Sequence, residues 1–360
     1  MIDNDFQIAG YDTRGIKIGM GTGMAKKRAR GLKFSLLALI MIVILAGCGA
    51  SPAQEGTSNA GGDTTNTAEG NSGAAAGSES YEVTHAMGTE TIKGTPQKVV
   101  VLTNEGTEAL LALGVKPVGA VRSWTGDPWY PHIKDQMEGV TVVGEESQPN
   151  IELIAGLQPD LIIGNKMRQE KVYEQLKAIA PTVFAEDLRG EWQNNFELYA
   201  KALNKVSEGE ELLAAYDKRI QEFKEKAGSK LDETVSVVRF MAGKTRVYHT
   251  NTFSGVIFDK IGIARNDMTK NAKDDFVDEI TKERLPEVEA DRLFYFTYET
   301  GDGGANQTEQ EWINDPLWKN LNVVKNGQAH KVDDAIWNTA GGILAANLLI
   351  DQLQEFYGIQ

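Results

Sequence analysis

Apolar residues recur along this chain with two alternating periods. Short β-branched runs at 98–102, 115–121, 140–143, 160–163 and 182–185 read as strands. Helical patterns at 105–113, 150–157 and 170–179 fall between them. A helical region then opens near Trp192, and Leu212, Leu213, Tyr216, Ile220 and Phe223 keep the helical spacing up to Ala227-Gly228. Ser207 with Glu210 three places on predicts a capping box at the start of that second helix. The rhythm resumes with strands at 235–240, 246–249, 293–298 and 329–332. Helices follow Gly255, begin at Thr281, and cover 312–321 and 342–356. Strands alternating with helices predict mainly parallel, helix-covered sheets. The expected α/β architecture is two lobes, 81–204 and 229–360, joined by one helix over 205–228. Such a helix spans roughly 30 Å, enough to cross between lobes.

Ahead of the first lobe the pattern disappears. Gly, Ser, Ala, Asn and Thr dominate 48–80, the composition of a flexible tether. Before it, Met24 opens MAKKRARGLKFSLLALIMIVILAGC. The basic residues Lys26, Lys27, Arg28, Arg30 and Lys33 precede an apolar stretch from Phe34 to Ala46. That order predicts a signal peptide over 24–47, with an apolar run too short for an ordinary spanning helix. Leu45-Ala46-Gly47-Cys48 looks like a lipobox, and Cys48 is the one cysteine in the sequence. The expectation is a protein lipidated at Cys48, without disulfides, held on the extracytoplasmic face of the cell membrane.

Charge narrows the partners. Removing residues 1–47 takes the chain from 37 basic and 51 acidic residues to 30 and 48, a net charge of −18. A body so acidic is not expected to bind nucleic acid or to lie on anionic lipid by charge alone. His85, His132, His249 and His330 are dispersed without a metal-ligand spacing, so no metal site and no cofactor are expected. Gly301-Asp302-Gly303-Gly304 resembles a flexible loop, not a phosphate cradle, and no nucleophile elbow is present. A secreted hydrolase, the enzymatic alternative, has no nucleophile–base set to stand on, and no catalytic residue is expected.

Four segments carry a family resemblance: 98–119 (KVVVLTNEGTEALLALGVKPVG), 149–163 (PNIELIAGLQPDLII), 280–298 (ITKERLPEVEADRLFYFTY) and 315–337 (DPLWKNLNVVKNGQAHKVDDAIW). Together they resemble the iron-siderophore substrate-binding lipoproteins of ABC transporters, the helix-linked kind related to ferrichrome and cobalamin binders. The phrase VVRFMAGKTRVYHTNTFSGVIFDKIG looks closest to a Bacillus-type branch for citrate-hydroxamate siderophores. The resemblance implies two Rossmann-like lobes joined by a long interlobe helix, with a ferric siderophore in the cleft and a monomeric protein. It implies delivery to ABC permease subunits that dock on Glu152 of the first lobe and Glu283 of the second. Haem or cobalamin in the same fold is the alternative cargo. In the siderophore reading the iron is cargo, its coordination shell filled by the siderophore.

Ligands of open α/β sheets sit beyond the carboxyl ends of the strands. Loops there carry Asn104-Glu105, Arg122, Trp124, Trp129-Tyr130, Lys166, Arg168 and Arg189, then Arg239, Tyr248-His249, Phe253, Tyr298 and Trp337-Asn338. A compact, oxygen-rich ferric complex needs forked cationic donors and flat apolar faces. The expected ligand-binding set is Arg122, Trp124, Tyr130, Arg168, Arg239, His249, Tyr298 and Trp337. Arg122 and Arg239 adjoin or lie within apolar strands, so each needs a partner, either the ligand or a buried carboxylate. Trp312 and Trp318 read as core.

Overall fold

The computed structural model describes residues 80–359, and Cys48, the signal peptide over 24–47 and all of the tether but Ser80 lie outside them. Two five-stranded sheets organise the described residues. In the first, the spatial order is Thr141–Val142, Gly119–Ala120, Val99–Val101, Leu161–Asn165 and Thr182–Ala185, all parallel. Read in chain order this is 3-2-1-4-5, a doubly wound sheet whose order reverses between Val99–Val101 and Leu161–Asn165. Their run of fully buried Val, Leu and Ile is what a sheet covered on both faces requires.

The second sheet repeats that order with Val277–Glu279, Lys244–Tyr248, Val235–Met241, Arg292–Thr297 and Ala329–Lys331. Lys244–Tyr248 runs antiparallel to Val235–Met241, from which it is reached by a two-residue turn ending at Gly243 with φ +69°. Its order reverses between Val235–Met241 and Arg292–Thr297.

An N-terminal hairpin, Ser80–His85 with Gly88–Lys93, has no counterpart in the expected elements. It closes the open edge at Thr182–Ala185. Ala86 N–H donates to the Phe184 carbonyl at 2.9 Å, and Phe184 N–H donates to His85 Nδ1 at 3.1 Å.

The connecting helix runs Val206–Ala227 and buries Gly209, Leu213, Tyr216, Ile220, Phe223 and Ala227, one stripe at alternating steps of four and three. Each large side chain buried there stabilises by roughly 1.5–3 kcal/mol. The expected capping box is corrected. The helix begins at Val206 without a side-chain cap, and Lys205 meets Glu208 at 3.1 Å instead. This helix packs on Trp192–Ala202 from the first lobe and on Phe253–Ile261 and the C-terminal helix Ile343–Tyr357 from the second. One apolar cluster therefore runs unbroken from Val99 and Leu110 through Tyr216 to Phe258 and Leu349.

A second seam joins the lobes. The helix Asn104–Ala112 packs against the start of the C-terminal helix, where fully buried Glu108 Oε2 accepts the Ala345 N–H at 2.9 Å. His132 Nε2 meets Glu108 Oε1 at 2.5 Å. The approach is close enough that a Cβ on Gly342 would stand 2.7 Å from Glu108 Cβ and 3.0 Å from the Glu105 carbonyl.

Glu105 lies in the same seam, lining a small void with Trp192, Phe196, Tyr199 and Ile343. Burial pushes its carboxyl well above the ordinary range. Asn195 tempers the rise, and Glu146 and Glu108 add to it. The folded protein therefore keeps a proton that the unfolded chain releases, and stability falls as pH climbs from the ordinary carboxylate value toward the folded one. Glu105→Gln is expected to raise the urea midpoint at about pH 8, with the gain shrinking toward about pH 4. Midpoints of the two proteins that stay parallel across that range would contradict this.

Candidate functional site

At the reversal point of the first sheet, one buried carboxylate ties three loops together. Glu146 Oε1 accepts the Asn104 N–H at 2.7 Å and the Asn104 amide at 2.8 Å. Arg168 Nε stands 3.6 Å from its Oε2. Gln169 amide donates to the Glu146 carbonyl at 2.7 Å and to the Leu102 carbonyl at 3.0 Å, while its oxygen accepts the Asn165 N–H at 2.8 Å. Arg168 is thereby held with its guanidinium 5.7 Å from the Trp124 ring centre, a half-buried cation over a flat aromatic face. Arg122 is exposed, and its side chain has no ion-pair partner among the described residues.

The reversal point of the second sheet holds Arg239, a buried guanidinium. Its Nε donates to Asp334 Oδ1 at 2.7 Å, and its Nη1 donates to the Tyr248 hydroxyl at 2.9 Å. Burial opposes its charge, but Asp334 and Tyr248 outweigh that and hold its pKa above the ordinary arginine value. The Tyr298 ring lies over it at 4.6 Å, and Nη2 makes no hydrogen bond to a described residue. The partner demanded by this arginine is thus a carboxylate, Asp334, with one forked edge left over.

The two walls meet. Thr339 donates to Asp334 Oδ2 at 2.8 Å, and the Tyr130 hydroxyl of the first lobe, which accepts the Trp124 N–H at 3.4 Å, lies within electrostatic reach of Asp334. Burial pushes the Tyr130 phenol well above its ordinary value. Tyr298 is pushed up too, first by burial, and it feels Glu145 and Glu146 of the opposite lobe. Five of the eight expected residues, Trp124, Tyr130, Arg168, Arg239 and Tyr298, are therefore brought together across the interlobe cleft. Arg122 flanks this group, its N–H donating to the Gly144 carbonyl at 2.9 Å.

Two expected residues are placed elsewhere. Trp337 is fully buried within a π-helical turn, Ala335–Thr339, with its ring 4.6 Å from Phe294 and its indole N–H donating to Gln352 Oε1 at 2.6 Å. It is a core residue of the second lobe, not a ligand wall. His249 is also fully buried, with Nδ1 3.2 Å from the Thr269 hydroxyl and Nε2 3.9 Å from Asp278. Burial, against the pull of Asp278, lowers its pKa. Of the other loop candidates, Lys166 pairs with Glu186 at 2.7 Å, and Arg189 crosses to the second lobe with its guanidinium 4.5 Å from the Phe276 ring centre. Trp312 and Trp318 are core, flanking Phe240.

Glu146, Gln169, Asp334 and Thr339 escaped the sequence reading, because a polar residue that organises a loop looks like any solvated one. Asp334 had a signal: Arg239 in an apolar strand demanded an acid. The Gly301–Gly304 loop is likewise built, not slack. Glu299 accepts N–H groups of Gly301 at 2.7 Å, Gly303 at 2.9 Å and Asn306 at 3.1 Å. Among the described residues, no group of three or more His, Cys, Asp or Glu is placed to hold a metal ion. A recess lined by Trp129, Lys134 and Met137 shares no residue with the site.

Residues 99–335 match the periplasmic binding protein family. The chain belongs to that family. It is 53% identical over 287 residues to the probable siderophore-binding lipoprotein YfiY of Bacillus subtilis, covering 78% of this chain and 88% of that one. It is 30% identical to the Fe(3+)-citrate-binding protein YfmC of the same organism, over 89% of this chain and 95% of YfmC. Among solved structures, Staphylococcus aureus SirA complexed with staphyloferrin B aligns with a TM-score of 0.71 and 38% identity, covering 78% of this chain and 99% of SirA. As a periplasmic binding protein it is a substrate-binding component, and its two-lobed α/β fold is the family's own.

Asp334→Ala would strand the buried charge of Arg239 and is expected to cost about 3–5 kcal/mol in urea unfolding. Adding Arg239→Met should recover most of that loss. Equal destabilisation in the single and double variants would show that Asp334 acts otherwise.

Proposed function

We propose that this chain captures a ferric siderophore between its lobes outside the cytoplasm and hands it to the permease of an ABC importer. The observation that carries the reading is the convergence of the two reversal points. Arg168 over Trp124 faces Arg239 under Tyr298 across one cleft. Forked cationic donors backed by aromatic faces suit a compact complex rich in anionic oxygen. The iron stays coordinated by its siderophore. YfiY and SirA favour a siderophore cargo, and Fe(3+)-citrate on YfmC favours a citrate-type or citrate-hydroxamate ligand.

Lipidation at Cys48 is the anchor in this reading, and YfiY is itself named a lipoprotein. Among the described residues, no helix is long and apolar enough to cross a membrane. Glu152 and Glu283 are the docking points. Both are exposed, one in the first turn of Ile151–Leu157 and the other in that of Lys282–Val288, and neither has an ion-pair partner among the described residues. Paired anionic knobs on separate lobes supply orientation and on-rate toward a basic partner.

Tryptophan fluorescence of the soluble form starting at Gly49 tests the cargo. Ferric schizokinen, staphyloferrin B, citrate, ferrichrome, ferrioxamine, haemin and cobalamin would be titrated in turn. A ferric siderophore is expected to quench saturably at sub-micromolar concentration, with Trp124→Phe removing most of the signal. Arg168→Ala should weaken binding at least tenfold, about 1.4 kcal/mol. A flat response to every siderophore with a response to haemin or cobalamin would replace the cargo.

A further inference from the structure

Among the described residues only four large apolar side chains are exposed: Leu153, Met167, Val206 and Leu317. Leu153 adjoins Glu152, and Leu317 sits on a helix that packs against the turn carrying Glu283, the two glutamates assigned above to docking. Leu153 follows Glu152 in the same helical turn, which Asn150 fixes by accepting the Leu153 N–H at 3.0 Å. Leu317 sits in the first turn of Pro316–Asn320, where Asp315 accepts its N–H at 2.8 Å. That short helix packs on the turn Lys282–Val288 that carries Glu283. Lys282 Nζ lies 3.9 Å from Asp315 Oδ2 and binds the two elements together. Nearby acids are already in ion pairs, Glu287 with Arg284 at 2.8 Å and Asp315 with Lys282, whereas Glu152 and Glu283 have no ion-pair partner among the described residues. Each lobe therefore presents an exposed carboxylate outside any ion pair and an exposed leucine in a side-chain-capped helix.

We propose that Leu153 and Leu317 are the apolar halves of two matched contacts with the importer's permease, a partner presenting a basic side chain beside an apolar pocket at each point. The inference rests on the docking reading above and deepens it. Rim ion pairs mainly set encounter and orientation, whereas a desolvated apolar anchor slows release. A leucine beside each carboxylate supplies what the charge alone lacks. Because the two contacts sit on different lobes, the second engages at high effective concentration only when the lobes stand at the right separation. The permease then reads lobe geometry, not merely the presence of acid.

Site-specific photo-crosslinking of the full-length lipoprotein in its own bacterium tests this without knowledge of the siderophore. p-Benzoylphenylalanine would replace residues 152, 153, 283 and 317 one at a time, with Val206, exposed on the connecting helix, as the control position. Positions 153 and 317 are expected to yield adducts with the permease transmembrane subunits at least tenfold above position 206. Glu152→Arg combined with Glu283→Arg should abolish them. Adducts at 152 and 283 with none above control at 153 and 317 would remove the leucines from the contact and leave the docking reading standing. No permease adduct at any of the four positions would overturn the docking reading and this inference with it.

Discussion

The structure turns on one buried carboxylate. Glu108 reaches from the first lobe, with no part of its side chain exposed, and accepts the Ala345 N–H at the start of the second lobe's long C-terminal helix. A helix N-terminus leaves unpaired N–H groups and a positive dipole end, so an acidic oxygen there is favoured and its loss would strand a buried donor. His132 engages the other oxygen at 2.5 Å. Two residues 237 positions apart are thereby locked, and the backbone at Gly342 approaches so closely that there is no room for a Cβ.

The candidate site lies between the two lobes that this contact joins. With the connecting helix packed on both lobes and the apolar core continuous between them, the cleft is framed on two sides. The reversal points of the two sheets then face each other, and the loops there are tied down from beneath, by Glu146 in one lobe and Asp334 in the other. The Tyr130 hydroxyl of the first lobe lies within electrostatic reach of Asp334, which holds Arg239 in the second.

Much of this was legible in the chain, for physical reasons. The strands at Val99–Val101, Leu161–Asn165 and Thr182–Ala185 announced themselves because doubly covered strands must be continuously apolar. The connecting helix did so through one long stripe. The hairpin Ser80–Lys93 did not, since an edge-covering ribbon buries little beyond Val83 and Ile92. The helix Gly304–Ile313 was missed for the same lack of a strong apolar face, its start being set by a carboxylate outside it. The site divided along similar lines. Arginines near strand ends were visible because charge near an apolar run is conspicuous. Trp337 misled because a tryptophan in a short connecting segment reads as exposed, whereas the π-helical turn folds it onto Phe294. His249 misled because a buried imidazole packed on Thr269 and a pocket donor look alike in one dimension.

The central claim is that the ligand's iron sits between the two reversal points and is held by the siderophore alone. Anomalous diffraction at the iron edge from crystals of the loaded protein tests it most directly. The account predicts a single iron peak in the cleft between Arg168 and Arg239, flanked by Trp124 and Tyr298, with no protein atom at bonding distance. A peak outside the cleft, or an iron ligated by a side chain of this protein, would contradict it.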